Sequence, residues 1–426
     1  MSHYLKIKII CVFFRPGKVA IGLFFFVFYI PCFAFDYPDK EQSIVIINAS
    51  SFNRVREVII IKRTLLGKPG YNFFPLVKKG NRCFTTQIVD KNGDSNWDEL
   101  LIEVDLAANT RDTLQLTWVK KEQQKEFKKY TNVRLSLRSD NDVPSPEINK
   151  TQRMRGFTQN IAKPFYQMEG PGIENDKVAF RTFFDFRNGK DIYGKIVDTP
   201  VLEKVGVDAT WHEMQPWGMD IFHTGNSLSA GALAVEEDKQ FYRLGDADTS
   251  IFQALYEGAL QAAFTLNYKK WDVAKSKQDG SETVSMTKGN FFYKNDIVVD
   301  LNSNQSLIAG IANFGIDKVV YKKHNETFSS VSIYGSQAEG SNTKLGVAIM
   351  FPSHDYIVHQ TTDAASSIPN TSYISLKPTS KKTIYFFACW EKTDSRFTTQ
   401  EGFEKYLKET ADKLASPIII SVINKK

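Results

Sequence analysis

Residues 177–188 read KVAFRTFFDFRN, and their alternation decides the fold class. Every second position puts Val178, Phe180, Thr182, Phe184 and Phe186 on one face; Arg181, Phe183, Asp185 and Arg187 take the other. A period of two marks a strand with one face sunk in a core. Toward the C-terminus, similar runs rich in Ile, Val, Leu or Thr recur at 260–268, 291–300, 307–313, 345–351 and 383–390. Toward the N-terminus they recur at 43–48, 55–62, 83–89, 99–105, 113–119 and 132–138, separated by turn-forming residues. Helical spacing stands out at 399–414, where Phe403, Tyr406, Leu407, Ala411 and Leu414 follow a Thr-Gln-Glu start. Residues 418–422 offer a last strand.

The expected architecture is all-β. A small β-sandwich spans 35–140, a linker 141–164, and a large antiparallel β-sandwich with a C-terminal helix 165–426. The linker begins in the polar, two-proline stretch DNDVPSPEINK at 140–150. No repeat of solenoid or propeller period is present.

The chain has 426 residues, 42% hydrophobic and 24% charged, enough to bury a sizeable core. Residues 1–34 carry Lys6, Lys8, Arg15 and Lys18 and no acid, so removing them takes the net charge from +6 to +2. The remainder has no basic excess of the kind that binds nucleic acid. The apolar run 19–34 behind this basic stretch reads as a secretory signal cleaved before Phe35, with Pro31 and its shortness arguing against a membrane span. Secretion or a periplasmic location, with no membrane span after cleavage, is therefore expected. Beyond the leader only Cys83 and Cys389 remain, too few for a disulfide scaffold or a cysteine metal cluster.

Two stretches concentrate chemistry. On the 177–188 strand, Arg181 and Arg187 with Asp185 form a face that could grip a carboxylate-bearing ligand; a solvated face of Arg-Asp pairs is the alternative. Residues 210–231 (TWHEMQPWGMDIFHTGNSLSAG) hold Trp211, His212, Trp217, Asp220, His223 and Asn226. Histidine suits general acid-base work near neutral pH, a neighbouring carboxylate can orient it, and tryptophan offers a platform for a sugar ring. Structural hydrogen bonding by the histidines and core packing by the tryptophans are the plainer readings. No HExxH, GxSxG, P-loop or dinucleotide fingerprint is present.

A third stretch, DKNGDSNWDE at 90–99, alternates Asp90, Asn92, Asp94 and Asp98 like oxygen ligands of a Ca²⁺ loop. Ser95 stands where such a loop wants Gly, and Leu101 where it wants a bidentate Glu. A polar hairpin turn is the alternative. The sequence requires no cofactor; a structural calcium ion is what this loop would take.

The run 170–195 (GPGIENDKVAFRTFFDFRNGKDIYGK), His212-Glu213-Met214, Trp217-Gly218-Met219-Asp220 and Gly225-Asn226-Ser227-Leu228 together resemble the uncharacterised bacterial family DUF4861. The resemblance covers most of the chain beyond the leader, including 90–100 and the closing strand-helix-strand. It implies a secreted protein of polysaccharide-degrading systems, often beside enzymes for pectin or other uronate-containing glycans, and no particular reaction. The layout is also similar to the galactose-mutarotase-like supersandwich of sugar epimerases and polysaccharide lyases, a likeness of fold only.

The expected function is a carbohydrate-active enzyme, a lyase or glycoside hydrolase, acting on an acidic, uronate-containing oligosaccharide or polysaccharide. His212 is the expected acid or base, with Asp220 or Glu174 as its acidic partner. Arg181 and Arg187 hold the substrate carboxylate, and Trp211, Trp217 and Tyr193 form the platform. The alternative is a non-catalytic glycan-binding protein, and a third reading has the chain only assembling with other envelope proteins. His212 and a carboxylate meeting in one cleft would favour the enzyme.

Overall fold

The computed structural model describes residues 41–67, 72–139, 143–159, 163–207, 211–314, 316, 318–337 and 342–424. The leader at 1–34 and parts of the expected linker, 141–142 and 160–162, lie outside them.

The N-terminal strands form two packed sheets. One has the order Ile419–Asn424, Gln42–Asn48, Thr110–Lys120, Phe73–Lys79, Arg82–Cys83. The other has the order Arg54–Lys62, Glu99–Leu106, Thr86–Val89. Alternate residues such as Ile44, Ile46, Leu114, Leu116, Ile59, Ile61, Leu100 and Ile102 meet between them. Two expectations change here. The last strand, assigned by sequence to the large sandwich, pairs antiparallel with the first, Gln42 opposite Asn424. The run at 132–138, assigned to the small sandwich, forms the strand Asn132–Arg134 and pairs with Gly172–Glu174 of the large one. Short apolar strands carry no mark of which partner they will find.

The large sandwich sets a nine-stranded antiparallel sheet against two five-stranded sheets. The nine strands run Val320–Lys323, Phe328–Ser336, Lys344–Pro352, Lys381–Trp390, Phe292–Val299, Ser276–Thr287, Gln261–Val273, Ala247–Tyr256 and Lys150–Met154. The last of these lies in the stretch read as linker, where it pairs with Ala247–Tyr256 as an edge strand. Facing it are the sheet Gly218–Asp220, Lys190–Lys195, Val178–Thr182, Gly172–Glu174, Asn132–Arg134 and the sheet Gln240–Arg243, Ala230–Glu237, Ser306–Ala312, Thr371–Leu376, Tyr356–Thr361. One continuous core fills the gap, with Phe180, Phe184, Ile192, Leu233 and Ile311 packed on Phe264, Tyr293, Val347 and Phe386.

The expected helix is Gln400–Ala415, capped by Thr399, whose side chain accepts from the Gly402 amide at 3.1 Å. Phe403, Leu407 and Ala411 face the outer side of the nine-stranded sheet, against Phe291, Ala348, Phe387 and Cys389. Gly346 lets the helix approach, since a side chain there would strike the Phe403 ring. Cys83 and Cys389 are free thiols. Among the described residues no helix is long and apolar enough to cross a membrane.

The two sandwiches meet through specific contacts. The Gln87 side chain donates to the Gln261 carbonyl at 2.8 Å and accepts from the Leu260 amide at 2.7 Å. Val89 and Leu101 pack on Ala259 and Leu260, and Lys288 pairs with Glu103 at 2.9 Å.

Candidate functional site

Strand register builds the site. Arg181 lies opposite Asp191, Ala179 opposite Tyr193, and Tyr193 opposite Asp220. Cross-strand partners share a face, so Arg181, Asp191, Tyr193 and Asp220 all project from the side of their sheet away from the main core. That side was read as a face open to a ligand, or else solvated, and it is buried. Residues from the excursion between Lys195 and Gly218, among them Val201, Leu202 and Val205 with Trp211 and Trp217, pack over it with Met168, Ala179 and Tyr193.

Arg181 is therefore buried, and its charge is met by protein groups. Its Nη2 and Nε donate to Asp191 Oδ2 at 2.6 and 3.1 Å, and its Nη1 donates to Glu169 Oε1 at 3.2 Å. Burial disfavours the guanidinium charge, but the oxygens of Tyr193, Asp191, Glu169 and Asp220 outweigh it and hold Arg181 protonated. Arg187 is bidentate to Asp185 through Nη2 and Nε at 2.5 and 3.0 Å, and its Nη2 also donates to Glu169 Oε2 at 3.4 Å. The two guanidinium carbons sit 4.4 and 4.1 Å from the centroid of the Phe183 ring.

Glu169 thus joins both arginines, one oxygen to each. It is held there by an unusual backbone: Met168 and Glu169 take φ of 56° and 62°, left-handed values that side chains with a Cβ rarely adopt. Gly170 follows at φ 159°, where a Cβ would lie 2.0 Å from the Thr182 carbonyl oxygen. Two such residues in succession store strain where the carboxylate must be aimed.

His212 reaches this cluster from the covering excursion. The Asp220 amide donates to the Trp211 carbonyl at 2.6 Å, pinning the Trp211-His212 turn beside the strand Gly218–Asp220. A Cβ at Gly218, φ 134°, would fall 1.8 Å from the Gly194 carbonyl oxygen, so the close approach of these strands needs glycine there. His212 Nδ1 then lies 3.7 Å from Asp220 Oδ2, which is 3.9 Å from Arg181 Nη2. The His212 side chain is 55% exposed and that of Asp220 5%. Burial, and next the Asp191 charge beside it, push the Asp220 carboxyl well above the usual carboxylate range, against the pull of Arg181. Asp220 and Asp191 share a hydrogen bond. The Tyr193 hydroxyl, fully buried among these charges, makes no hydrogen bond within the protein.

The structure therefore brings together His212, Asp220, Arg181, Asp185, Arg187, Tyr193 and Trp211 of the expected residues, with altered roles for some. Arg181 is buried against Asp191 and Glu169, Asp185 is buried against Arg187, and Tyr193 is core, so none of these three offers a surface to a sugar. Arg187, its side chain 21% exposed, is the arginine of the pair within reach of solvent. Trp217 packs edge-on against Tyr193 at 6.0 Å between ring centroids. Glu174 is elsewhere: fully buried, it accepts from Lys195 Nζ at 2.7 Å and from the Val201 and Leu202 amides, which uses its carboxylate structurally. His223 is exposed and stacks edge-on against Phe314, and the Asn226 carbonyl accepts from Arg243. Glu169 and Asp191 were missed; alternation in KDIYGK at 190–195 places Asp191 and Tyr193 on one face, but nothing local names their partners.

The 90–99 loop uses its oxygens on itself. Asp90 accepts from the amides of Asn92, Gly93 and Ser95, Asn92 from Asp94, Asp94 from Asn96, and Asp98 from Lys91. Ser95 adopts φ 69°, the left-handed turn for which glycine was expected. Among the described residues no three His, Cys, Asp or Glu side chains converge to hold a metal ion.

Comparison with known proteins gives a relative of 24% identity over 276 residues, an uncharacterised protein P7 of Formosa agariphila, covering 58% of this chain and 66% of that protein. Among solved structures, an alpha-mannosidase from Enterococcus faecalis superposes with a TM-score of 0.49 at 9% identity, covering 92% of this chain and 46% of that one. A protein of glycosyl hydrolase family 38 from the same organism gives 0.48 at 9%, covering 92% and 48%. The chain spans about half the length of these two structures. The model of a family described as a domain of unknown function, DUF4861, matches residues 46–420, and the chain belongs to that family.

Proposed function

We propose that this protein is a carbohydrate-active enzyme that works outside the cytoplasm and cleaves a uronate-containing oligosaccharide by β-elimination, with His212 as the base. The observation that carries the reading is the His212–Asp220 pair: a half-exposed imidazole backed at 3.7 Å by a buried carboxyl. With Nδ1 turned toward Asp220, Nε2 is left for a substrate proton. In the step proposed, the proton on the carbon next to the sugar carboxylate passes to Nε2. The neighbouring carbon–oxygen bond breaks with its electron pair on the departing oxygen, a carbon–carbon double bond forms, and water protonates the leaving oxygen. Arg187, the guanidinium beside His212's cluster with solvent access, would stabilise charge developing on the substrate carboxylate.

Elimination is preferred to hydrolysis because glycoside hydrolysis ordinarily needs two carboxyl groups that reach the scissile bond. Here Glu169, Asp185, Asp191 and Asp220 are all buried behind arginines, and the exposed acid of the turn is Glu213. The test is to incubate the protein with a panel of uronate oligosaccharides, reading product mass and the absorbance of a new conjugated double bond. An unsaturated product, absent with His212→Ala, supports the reading. A product heavier by one water, or full turnover by His212→Ala, overturns it. Binding without turnover across the panel would leave a non-catalytic glycan-binding protein.

A further inference from the structure

Three carboxyl groups converge on one guanidinium beside His212. Arg181 donates to Asp191 at 2.6 and 3.1 Å and to Glu169 at 3.2 Å, whereas Asp220 stands 3.9 Å from it, beyond hydrogen-bond reach. Glu169 has a second cation in Arg187, but Arg187 also holds Asp185, and Arg153 and Arg243 lie near that same Asp185. Asp220 is thus the carboxyl to which no guanidinium donates, although its side chain is only 5% exposed. The Phe222 amide donates to its Oδ1 at 3.2 Å. It also shares a hydrogen bond with Asp191, whose side chain is 2% exposed. Two carboxylates can only accept, so a hydrogen bond between them requires that one carry a proton.

We propose that Asp191 and Asp220 hold one proton between them, and that it passes to Asp191 when His212 takes a proton from substrate, which makes Asp191 a positioning residue for the base. The inference rests on the reading of His212 as the base of an elimination.

At rest the proton belongs on Asp220, because the two bonds from Arg181 hold the negative charge on Asp191. Burial and the charge of Asp191 favour the protonated form of Asp220 in the same sense. A neutral Asp220, 3.7 Å from Nδ1, offers the imidazole no charge that would keep a proton on it, so His212 waits as a free base. When Nε2 gains the substrate proton, the Asp220 O–H bond breaks and an O–H bond forms on Asp191. The negative charge then moves to Asp220, beside the new imidazolium. Arg181 faces both carboxyls, so the charge stays next to the same guanidinium throughout. The other groups facing this pair are Glu169, from the left-handed turn, and Tyr193, from the strand Lys190–Lys195, whose buried phenol stays protonated and neutral.

The experiment is infrared difference spectroscopy of the full protein at neutral pH without substrate, wild type minus variant, in the carbonyl-stretch region of protonated carboxyl groups. The expected result is a band lost in Asp220→Asn and equally in Asp191→Asn, because with either acid gone the other ionises against Arg181. No band in wild type minus Asp220→Asn, or a band that survives in Asp191→Asn, overturns the shared proton. A thermal melt qualifies Asp191→Asn, and absence of the band in wild type minus Asp220→Asn is decisive even if that variant fails to fold. On a cleaved uronate oligosaccharide, the acidic limb of the kcat/KM profile should lie about one pH unit or more higher in Asp191→Asn. There Asp220 carries a fixed negative charge, which keeps the proton on His212 and silences the base at a higher pH. An unmoved limb overturns the transfer to Asp191. A band lost in both variants, with no turnover of any uronate, would keep the shared proton and remove the elimination reading. Turnover lost in His212→Ala with no band would do the reverse.

Discussion

His212 Nδ1 stands 3.7 Å from Asp220 Oδ2, one side chain 55% exposed and the other 5%. The exposed partner can meet a substrate, while the buried one sits where neighbouring charges set its protonation. Asp220 is the hinge between the imidazole and the Asp191–Arg181 pair, and its replacement should separate function from stability.

Replacing His212 with alanine should lower kcat on a cleaved uronate oligosaccharide by about 10²–10⁴-fold, the contribution of a positioned acid or base. Because His212 is half exposed, the melting temperature should change little. A variant that keeps kcat within a factor of about three would exclude His212 as the base.

Asp220→Asn should lower activity yet stabilise the protein at neutral pH. The folded-state pKa of Asp220 is raised, first by burial and then by Asp191, so the folded protein prefers the protonated carboxyl. Its favourable contribution is complete below the ordinary carboxylate pKa of about 4 and is lost as pH rises toward the folded-state value. Asparagine imitates the protonated form at every pH, with an amide that can donate to Asp191. Urea titrations at pH 4 and pH 7 should show a gain at pH 7 that shrinks at pH 4; a uniform destabilisation at both would contradict the assignment.

Glu169→Gln should destabilise the protein by about 3–5 kcal/mol, the usual effect of removing one member of a buried ion pair. Glu169 places one oxygen on Arg181 and the other on Arg187, and the strained backbone at Met168 and Glu169 persists only while those bonds repay it. Chemical denaturation of the variant measures this directly. A change below about 1 kcal/mol would mean that Asp191 and Asp185 suffice for the two guanidiniums.

Deleting residues 418–426 should lower the melting temperature and promote association. The strand Ile419–Asn424 covers the edge of Gln42–Asn48, and without it a row of unpaired backbone groups beside Ile44 and Ile46 is uncovered. Light scattering during a thermal melt distinguishes the outcomes; an unchanged, monomeric melt would show that the N-terminal sandwich closes without this strand.

Some of this was legible in the sequence because its physical cause is local. Alternation in 177–188 gave the core face of Val178 and Phe180, since a strand turns its side chains over every residue whatever it pairs with. The helix at Gln400–Ala415 was legible for the same reason: its cap, Thr399, and its buried positions lie within a few residues of one another. The concentration of Trp211, His212 and Asp220 also pointed to the site, because those residues are close in the chain.

Tertiary structure alone decided the rest. Phe186 left the expected face because the strand ends at Thr182 and the chain turns. Arg181, read as reaching for a ligand, is buried because Val201, Leu202, Val205, Trp211 and Trp217 pack over its side of the sheet, and no alternation pattern reports what will cover a face. Asp191 became a partner of Arg181 through register, which sets two residues side by side by the offset between strands rather than by their identities, and Glu169 through the left-handed turn at Met168 and Glu169. The first strand found its neighbour at the far end of the chain, Gln42 against Asn424, a pairing that becomes favourable only once everything between them has folded.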